Sequence, residues 1–191
     1  SLAVLHQQTA ESEASVSVSV YMAFPKADKL ELIAQKATEL GMWSLWPVEM
    51  IRSIAKADKA DKAEKKRERL SRIALEAAKQ SGRAHVPEIA PVRSLNNALK
   101  DAAAERFDLI LVAWEEEHAL PLSKAVGAYT AAHGTPEKVL IVIGPEGGIS
   151  PQWGWKQFDK MRTVNIPNIS VNSSNDFNIT CIVCCYCVFH T

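Results

Sequence analysis

The sequence predicts an α/β domain with a mostly parallel sheet and helices on both faces. Two apolar runs, residues 107–114 and 139–143, are almost free of polar side chains, which is typical of strands covered on both sides. Amphipathic patterns of helical length separate these strands, as they do in βαβ units. A glycine loop directly after residue 143 leads into a helix start, which is where such folds bind small molecules.

The composition is that of an ordinary globular protein. The 191 residues include 22 basic and 22 acidic side chains and are 47% hydrophobic, which allows a sizeable core. No apolar run is long enough to span a membrane and no signal-peptide pattern is present, so we expect no membrane association and a cytoplasmic protein. Because the net charge is zero, any surface that binds nucleic acid must be a local patch.

Two strand patterns open the chain. Residues 2–7 and 16–24 have strand composition, and the second alternates valine with serine as a half-buried strand does. A helix follows over residues 26–40 and ends at Gly41, and residues 42–50 form the next strand. Arg52 follows the carboxyl end of that strand, which makes it a candidate for a phosphate contact.

A long helix is predicted over residues 57–83. Most of its charged side chains are expected to form a solvated face that pairs with itself. Near its end, Glu76, Gln80 and Arg83 are spaced so that all three project from one side of the helix. A guanidinium and an amide together can hold a base edge and a phosphate. The alternative is a plain helix end with a solvated Arg83.

The middle of the chain continues the alternation with an extended segment, a helix, a strand and a helix, over residues 85–92, 94–104, 107–114 and 121–132. Glu115 follows the strand, so it lies beside the glycine loop if the two strands are neighbours. We interpret His118 as a solvated loop histidine. No set of His, Cys, Asp and Glu in the body of the chain has the spacing of a metal site.

The glycine loop itself spans residues 144–148, with the sequence Gly-Pro-Glu-Gly-Gly. It matches neither the G-x-G-x-x-G pattern of dinucleotide-binding folds nor a P-loop. Its glycines permit positive φ angles and a close approach of the backbone to a ligand. The alternative is a tight turn between a strand and a helix that starts at Ser150 and Pro151.

Three stretches resemble the SPOUT superfamily of methyltransferases, and in particular the ribosomal RNA small subunit methyltransferase E family. They are the loop with its following Ile-Ser, the Gln-Lys-Ala-Thr-Glu-Leu-Gly string at residues 35–41, and Glu-Ala-Ala-x-Gln-Ser-x-Arg at residues 76–83. The resemblance covers most of residues 22–164. It implies a SPOUT-type domain over residues 25–166, with a trefoil knot in the family, and makes residues 1–24 the remnant of a PUA-like β-barrel.

The resemblance also implies a function. It is methyl transfer from S-adenosylmethionine to ring nitrogen 3 of a uridine in small-subunit ribosomal RNA, by a homodimer. The cofactor-binding positions that match the family are Glu115, Ile143, Gly144, Pro145, Glu146, Gly147 and Gly148. Those expected to hold the RNA are Arg52, Gln80 and Arg83. No metal is implied, and the sequence does not identify a general base.

The chain departs from this family after Val164. Relatives continue with Leu-Gly-x-x-Ile-Leu-Arg-x-Glu-Thr-Ala, which forms the other wall of the cofactor pocket, and this chain does not. Residues 167–191 are therefore a divergent tail, and its cluster between Cys181 and Cys187 is too compact to favour a zinc site. Two alternatives stay open, a non-catalytic fragment that cannot bind cofactor and a SPOUT enzyme that acts on another RNA.

Overall fold

The computed structural model describes residues 13–25, 29–50, 60–114, 122–145 and 163–167. Strands and helices alternate along these residues. In chain order they are β1 (Ser17–Ala23), α1 (Lys29–Glu39), β2 (Ser44–Glu49), α2 (Ala60–Gln80), β3 (Glu88–Ile89), β4 (Arg93–Ser94), α3 (Leu95–Glu105), β5 (Leu109–Trp114), α4 (Leu122–His133), β6 (Lys138–Ile143) and β7 (Thr163–Pro167).

The strands form one sheet in the order β3-β2-β1-β6-β5-β7, with β4 also paired to β2. Every described pairing is parallel, which confirms the predicted α/β class. From β1 the chain winds outward through β2 to one edge, whereas β5, β6 and β7 fill the other side of β1. The direction of winding therefore reverses between β1 and β6.

Two apolar cores lie on opposite faces of this sheet. On one face, Leu30 of α1, Leu70 of α2 and Ala125 of α4 pack on the strands. On the other face, Leu95 and Leu99 of α3 do so. Because β5 and β6 are covered on both faces, their sequences are apolar at successive positions, and the predicted helices on both faces are confirmed.

Strand β1 differs from our prediction for residues 16–24. We expected a half-buried strand of a barrel remnant, but β1 pairs with both β2 and β6 in the middle of the parallel sheet. Its Ser19 is buried, and the Ser44 hydroxyl of β2 donates a hydrogen bond of 2.8 Å to the Ser19 hydroxyl. Ser19 and Ser44 are satisfied by each other instead of by water. A buried strand can therefore show the alternation of apolar and polar residues that is typical of a strand with one exposed face. The predicted boundary at residue 24 is thus wrong for this strand, and residues 1–12 lie outside the described residues.

Helices α1 and α2 end in the same way. Gly41 and Gly82 follow them with φ angles of 99° and 70°, a region that favours glycine. In each case the amides of the glycine and of the next residue donate to carbonyls of the last turn at 2.9–3.4 Å, the Schellman pattern. The predicted stop at Gly41 is confirmed. The predicted helix through residue 83 instead ends at Gln80.

The remaining predicted strands and helices are found close to their expected bounds. Strand β7 pairs with β5, whereas the helix expected to start at Ser150 and Pro151 lies outside the described residues. In the described part of the chain, no helix combines the length and apolar character that crossing a membrane requires.

Candidate active site

The candidate site lies at the carboxyl-terminal edge of the sheet. Because the strands are parallel, β1, β5, β6 and β7 all end there, and Met22 and Ala113 are the register partners of Ile143 on its two sides. Gly144 and Pro145 follow directly. In open α/β sheets, ligands bind outside the carboxyl ends of the strands where the winding reverses. In this sheet that point lies between β1 and β6.

Small side chains flank the start of the glycine loop. Ala23 is the last residue of β1 and Ala113 is the next to last of β5, and both are buried. Gly144 is half-buried between these strands, and Pro145 is buried. On the β1 side, Ala23 follows the register partner of Ile143, so only a methyl group lies beside Gly144 there and a ligand can approach closely. Our sequence reasoning missed the two alanines, which a search for small residues at strand ends would have found.

The described residues bring together only part of the predicted cofactor site. Ile143, half-buried against the core, Gly144 and Pro145 form the edge of the crevice. The other predicted cofactor and phosphate positions lie outside the described residues, and for them the roles stay predictions. They are Arg52, Glu115, Glu146, Gly147 and Gly148.

Arg83 has a structural role at the opposite, amino-terminal edge of the sheet. Its side chain is only 5% exposed, and its Nη1 donates to the carbonyl oxygens of Thr38 and Met42 at 3.0 and 2.8 Å. Its Nη2 forms an ion pair with Glu13 at 2.7 Å. Gly82 causes this placement, because its positive φ turns the chain inward after α2. We predicted that Arg83 projects outward with Gln80 and holds RNA. Its described contacts do not support that role.

Glu13 completes this arrangement. Its Oε1 accepts hydrogen bonds from the amides of Ala84 and His85 at 2.9 and 3.0 Å. Burial acts to raise the pKa of Glu13, but the hydrogen bond from Arg83 and those from the two amides favour the carboxylate, and the net effect lowers its pKa. Glu13 and Arg83 therefore join the ends of α1 and α2 to the segment before β1.

Gln80 and Glu76 stay on the surface. Gln80 is exposed at the end of α2, and Glu76 forms an ion pair with Lys79 at 2.8 Å. Both lie at the amino-terminal end of the sheet, far along α2 from the glycine loop. The RNA contact of Gln80 stays a prediction.

An apolar pocket of about 100 Å³ lies between α4 and the amino ends of β5 and β6, lined by Leu109, Val126 and Val139 among others, and is small for an organic cofactor. No group of three or more metal-ligating side chains occurs in the part of the chain that the structure describes. The cluster between Cys181 and Cys187 lies outside it.

A parallel sheet with helices on both faces and a glycine loop at the reversal of its winding defines a class of α/β proteins that hold small molecules at their strand ends. Within that class, the model of the RNA methyltransferase domain family matches residues 12–164. The chain belongs to this family, as the resemblance implied. The match begins ahead of β1, in agreement with the position of β1 in the sheet.

Relatives and solved structures agree with this assignment. The ribosomal RNA small subunit methyltransferase E of Bacillus subtilis (strain 168) is 39% identical over 138 residues, which cover 72% of this chain and 53% of that protein. The chain thus spans about half the length of this relative. A crystal structure of a hypothetical protein is 31% identical with a TM-score of 0.79, covering 97% of this chain and 70% of that one.

A third comparison concerns the fold alone. A ribosomal RNA small subunit methyltransferase E from Neisseria gonorrhoeae, bound to S-adenosyl methionine, has a TM-score of 0.74 at 22% identity. The match covers 96% of this chain and 70% of that one. This likeness confirms the predicted α/β fold with a mostly parallel sheet and helices.

Proposed function

We propose that this chain transfers a methyl group from S-adenosylmethionine to ring nitrogen 3 of a uridine in small-subunit ribosomal RNA. The observation that carries the proposal is that β6 is followed by Gly144 and Pro145 at the point where the winding of the sheet reverses. The chain that has this feature belongs to the RNA methyltransferase domain family. The name of the Bacillus relative supports the RNA class, and the neisserial structure supports the methyl donor.

The geometry of the crevice fits such a cofactor. Ala23 adds only a methyl group on the β1 side of Gly144, and Ile143 and Pro145 offer apolar surface for an adenine ring. Gly144 has no side chain of its own, so its backbone groups can face the cofactor. We extend this role to Gly147 and Gly148, with Glu115 and Glu146 at the rim.

The bound cofactor supplies a methyl group on a positively charged sulfur, which is intrinsically reactive. The residues of this chain therefore mainly align donor and acceptor and exclude water. The imino proton of the uridine must also leave, which requires a base or stabilisation of the developing anion. Arg52 and Gln80 are proposed to hold the RNA. A homodimer working in the cytoplasm, as the family resemblance implies, is part of the same proposal.

Titration calorimetry with S-adenosylmethionine tests the cofactor site directly. We expect a binding heat for the wild-type chain and its loss in Gly144→Val, because a branched side chain occupies the mouth of the crevice. Gly127→Val is the matched control, since Gly127 lies on the exposed side of α4 with nothing within 4 Å of an added Cβ. An unchanged heat in Gly144→Val argues against the proposed cofactor position.

A methylation assay tests the reaction. It uses purified small ribosomal subunits that lack the methyl group on the uridine, and the product nucleoside is then identified. Methyl transfer to ring nitrogen 3 of a uridine is the expected result. Transfer to a transfer RNA instead indicates a SPOUT enzyme with another RNA target.

A second candidate function is a non-catalytic α/β body. It is favoured by the departure from the family after Val164. For this candidate we expect neither a binding heat with S-adenosylmethionine nor a thermal shift.

A further inference from the structure

Helix α2 extends beyond the rest of its layer on the side of the candidate site. It has 21 residues, a length of about 32 Å, whereas α1 has 11 residues and a length of about 17 Å. The two helices end level with each other, because Arg83 after α2 bonds to Thr38 and Met42 at the end of α1. The extra length of α2 therefore lies at its first turns.

Two contacts locate these first turns. Arg69 forms an ion pair of 2.7 Å with Glu31 in the first turn of α1, and Lys66 Nζ lies 5.1 Å from the centre of the Phe24 ring, just after β1. Residues 60–65 precede both contacts, so they extend roughly 10 Å past the start of α1. Because α1 starts at the carboxyl end of β1, these turns stand beside the crevice.

From its projecting first turns onward, α2 has a basic stripe, formed by Lys62, Lys65, Arg69 and Arg72. At 3.6 residues per turn, these four positions fall within a sector of about 80°, away from the buried Leu70. The helix carries seven basic and four acidic side chains, so it is positive within a chain of zero net charge.

Ion pairs do not account for most of this stripe. We expected the charges of this helix to pair with one another, and Arg67 with Glu64 and Lys79 with Glu76 do so. Lys62, Lys65 and Arg72 are exposed and form no ion pair with any described residue, although acidic side chains lie within one turn of each. Three unpaired cations on one side of a helix attract a polyanion.

We propose that Lys62, Lys65 and Arg72 contact the phosphates of the RNA substrate, so that its backbone runs from the crevice along α2. This inference rests on the proposed function, because the crevice is where the target base would lie. Lys66 and Arg69 hold the helix on Phe24 and Glu31 in this arrangement. Contacts of this kind contribute affinity and a strong salt dependence without reading the sequence.

The test compares two triple variants of the full chain by fluorescence anisotropy with a labelled hairpin RNA that has a uridine in its loop. The first is Lys62→Ala, Lys65→Ala and Arg72→Ala. The control, Lys100→Ala, Lys124→Ala and Lys138→Ala, removes three exposed cations elsewhere and changes the net charge equally. Alanine preserves the helix, so the thermal unfolding midpoints of the α2 triple variant and the wild type should agree.

For the α2 triple variant we expect a loss of RNA affinity of about a hundredfold at about 0.1 M salt. The slope of log K against log salt should fall by about 2, while the control stays within a few-fold of wild type. A gain-of-affinity variant adds a check that misfolding cannot mimic. Glu68→Gln removes a carboxylate one turn from Lys65 and Arg72, and should strengthen RNA binding.

Several results overturn the inference. They are equal losses in the two triple variants, no loss in the α2 triple variant, and no RNA binding by the wild type. A changed sedimentation coefficient in the α2 variant with unchanged RNA affinity overturns it as well, since the stripe then joins copies of the chain. Calorimetry with S-adenosylmethionine on the same proteins separates this inference from the proposed function. If the wild type gives no binding heat with S-adenosylmethionine, the proposed function is contradicted. The comparison of RNA affinities between the two triple variants tests the basic stripe.

Discussion

At the amino-terminal edge of the sheet, Arg83, Glu13 and Asp108 bond to one another or to backbone groups, whereas at the carboxyl-terminal edge the described start of the loop is a glycine and a proline. Arg83 and Glu13 join the ends of α1 and α2 to the segment before β1. Asp108 at the start of β5 accepts hydrogen bonds of 2.9 Å from the amides of Glu137 and Lys138 at the start of β6. At the other edge, Ala113 of β5 is the register partner of Ile143, and Ala23 follows the register partner of Ile143 on β1.

The difference between the two edges has a physical cause. A parallel sheet gives both edges the same backbone, but only the carboxyl ends feed the loops where the winding reverses and a crevice opens. Side chains at the amino ends can therefore be used for stability without obstructing a ligand. We expect substitutions at the amino-terminal edge to change the free energy of unfolding and leave ligand binding intact. Substitutions at the carboxyl-terminal edge and on α2 should change ligand binding and leave the free energy of unfolding intact.

Arg83→Met gives the largest expected effect. It leaves the carboxylate of Glu13 without its cation and the Thr38 and Met42 carbonyl oxygens without their donor, so the free energy of unfolding should fall by about 3 kcal/mol. Urea unfolding measures this loss. RNA affinity, measured under conditions where the variant is folded, should be unchanged.

Arg72→Met is the matched control for this prediction, because it removes an exposed arginine from α2. It should change stability by less than about 0.5 kcal/mol and should weaken RNA binding. A stable Arg83→Met with reduced RNA affinity would restore the RNA role that the sequence suggested and break the division between the edges.

Gly82→Ala should have a smaller effect on the same edge. An added Cβ at Gly82 meets no atom within 4 Å, so its cost comes from the φ of 70° alone, about 1 to 2 kcal/mol of stability. Gly127→Ala should change the stability in the opposite direction. It lies within α4, also has nothing within 4 Å of an added Cβ, and should stabilise by about 0.5 to 1 kcal/mol. Thermal unfolding of the two variants measures both. Equal shifts would show that the inward turn at Gly82 does not depend on its backbone angle.

The sequence was sufficient to predict the layers of the fold. The apolar runs of β5 and β6 and the stop at Gly41 depend on local chemistry, namely burial on both faces and a left-handed cap, and these predictions are confirmed. The place of β1 could not be predicted in the same way. Its Ser19 is satisfied by Ser44, which is distant in the chain, and a pattern of alternation cannot distinguish such a partner from water.

The candidate site was predictable only where it depends on the loop. Gly144 and Pro145 lie at the edge of the crevice because they follow a central strand. Arg83 was misinterpreted because helical spacing was extended one turn past the end of α2. A glycine after Gln80 was the available signal, since a positive φ there reverses the direction of the side chains that follow.

Glu13→Gln should have the smallest effect and sharpens the comparison through pH. Because the folded chain lowers the pKa of Glu13, its carboxylate stabilises the fold above the unfolded pKa of about 4.3, and this stabilisation is lost as the pH falls through the lower folded pKa. The difference in stability between wild type and Glu13→Gln should therefore be largest near neutral pH and should disappear in acid. Urea unfolding across this range measures it. Repeating the pair in the Arg83→Met background should flatten the pH dependence, because the hydrogen bond from Arg83 is then absent in both proteins. A difference that persists unchanged in that background would mean that the two backbone amides alone hold the carboxylate, and that Arg83 stabilises only the ends of α1 and α2.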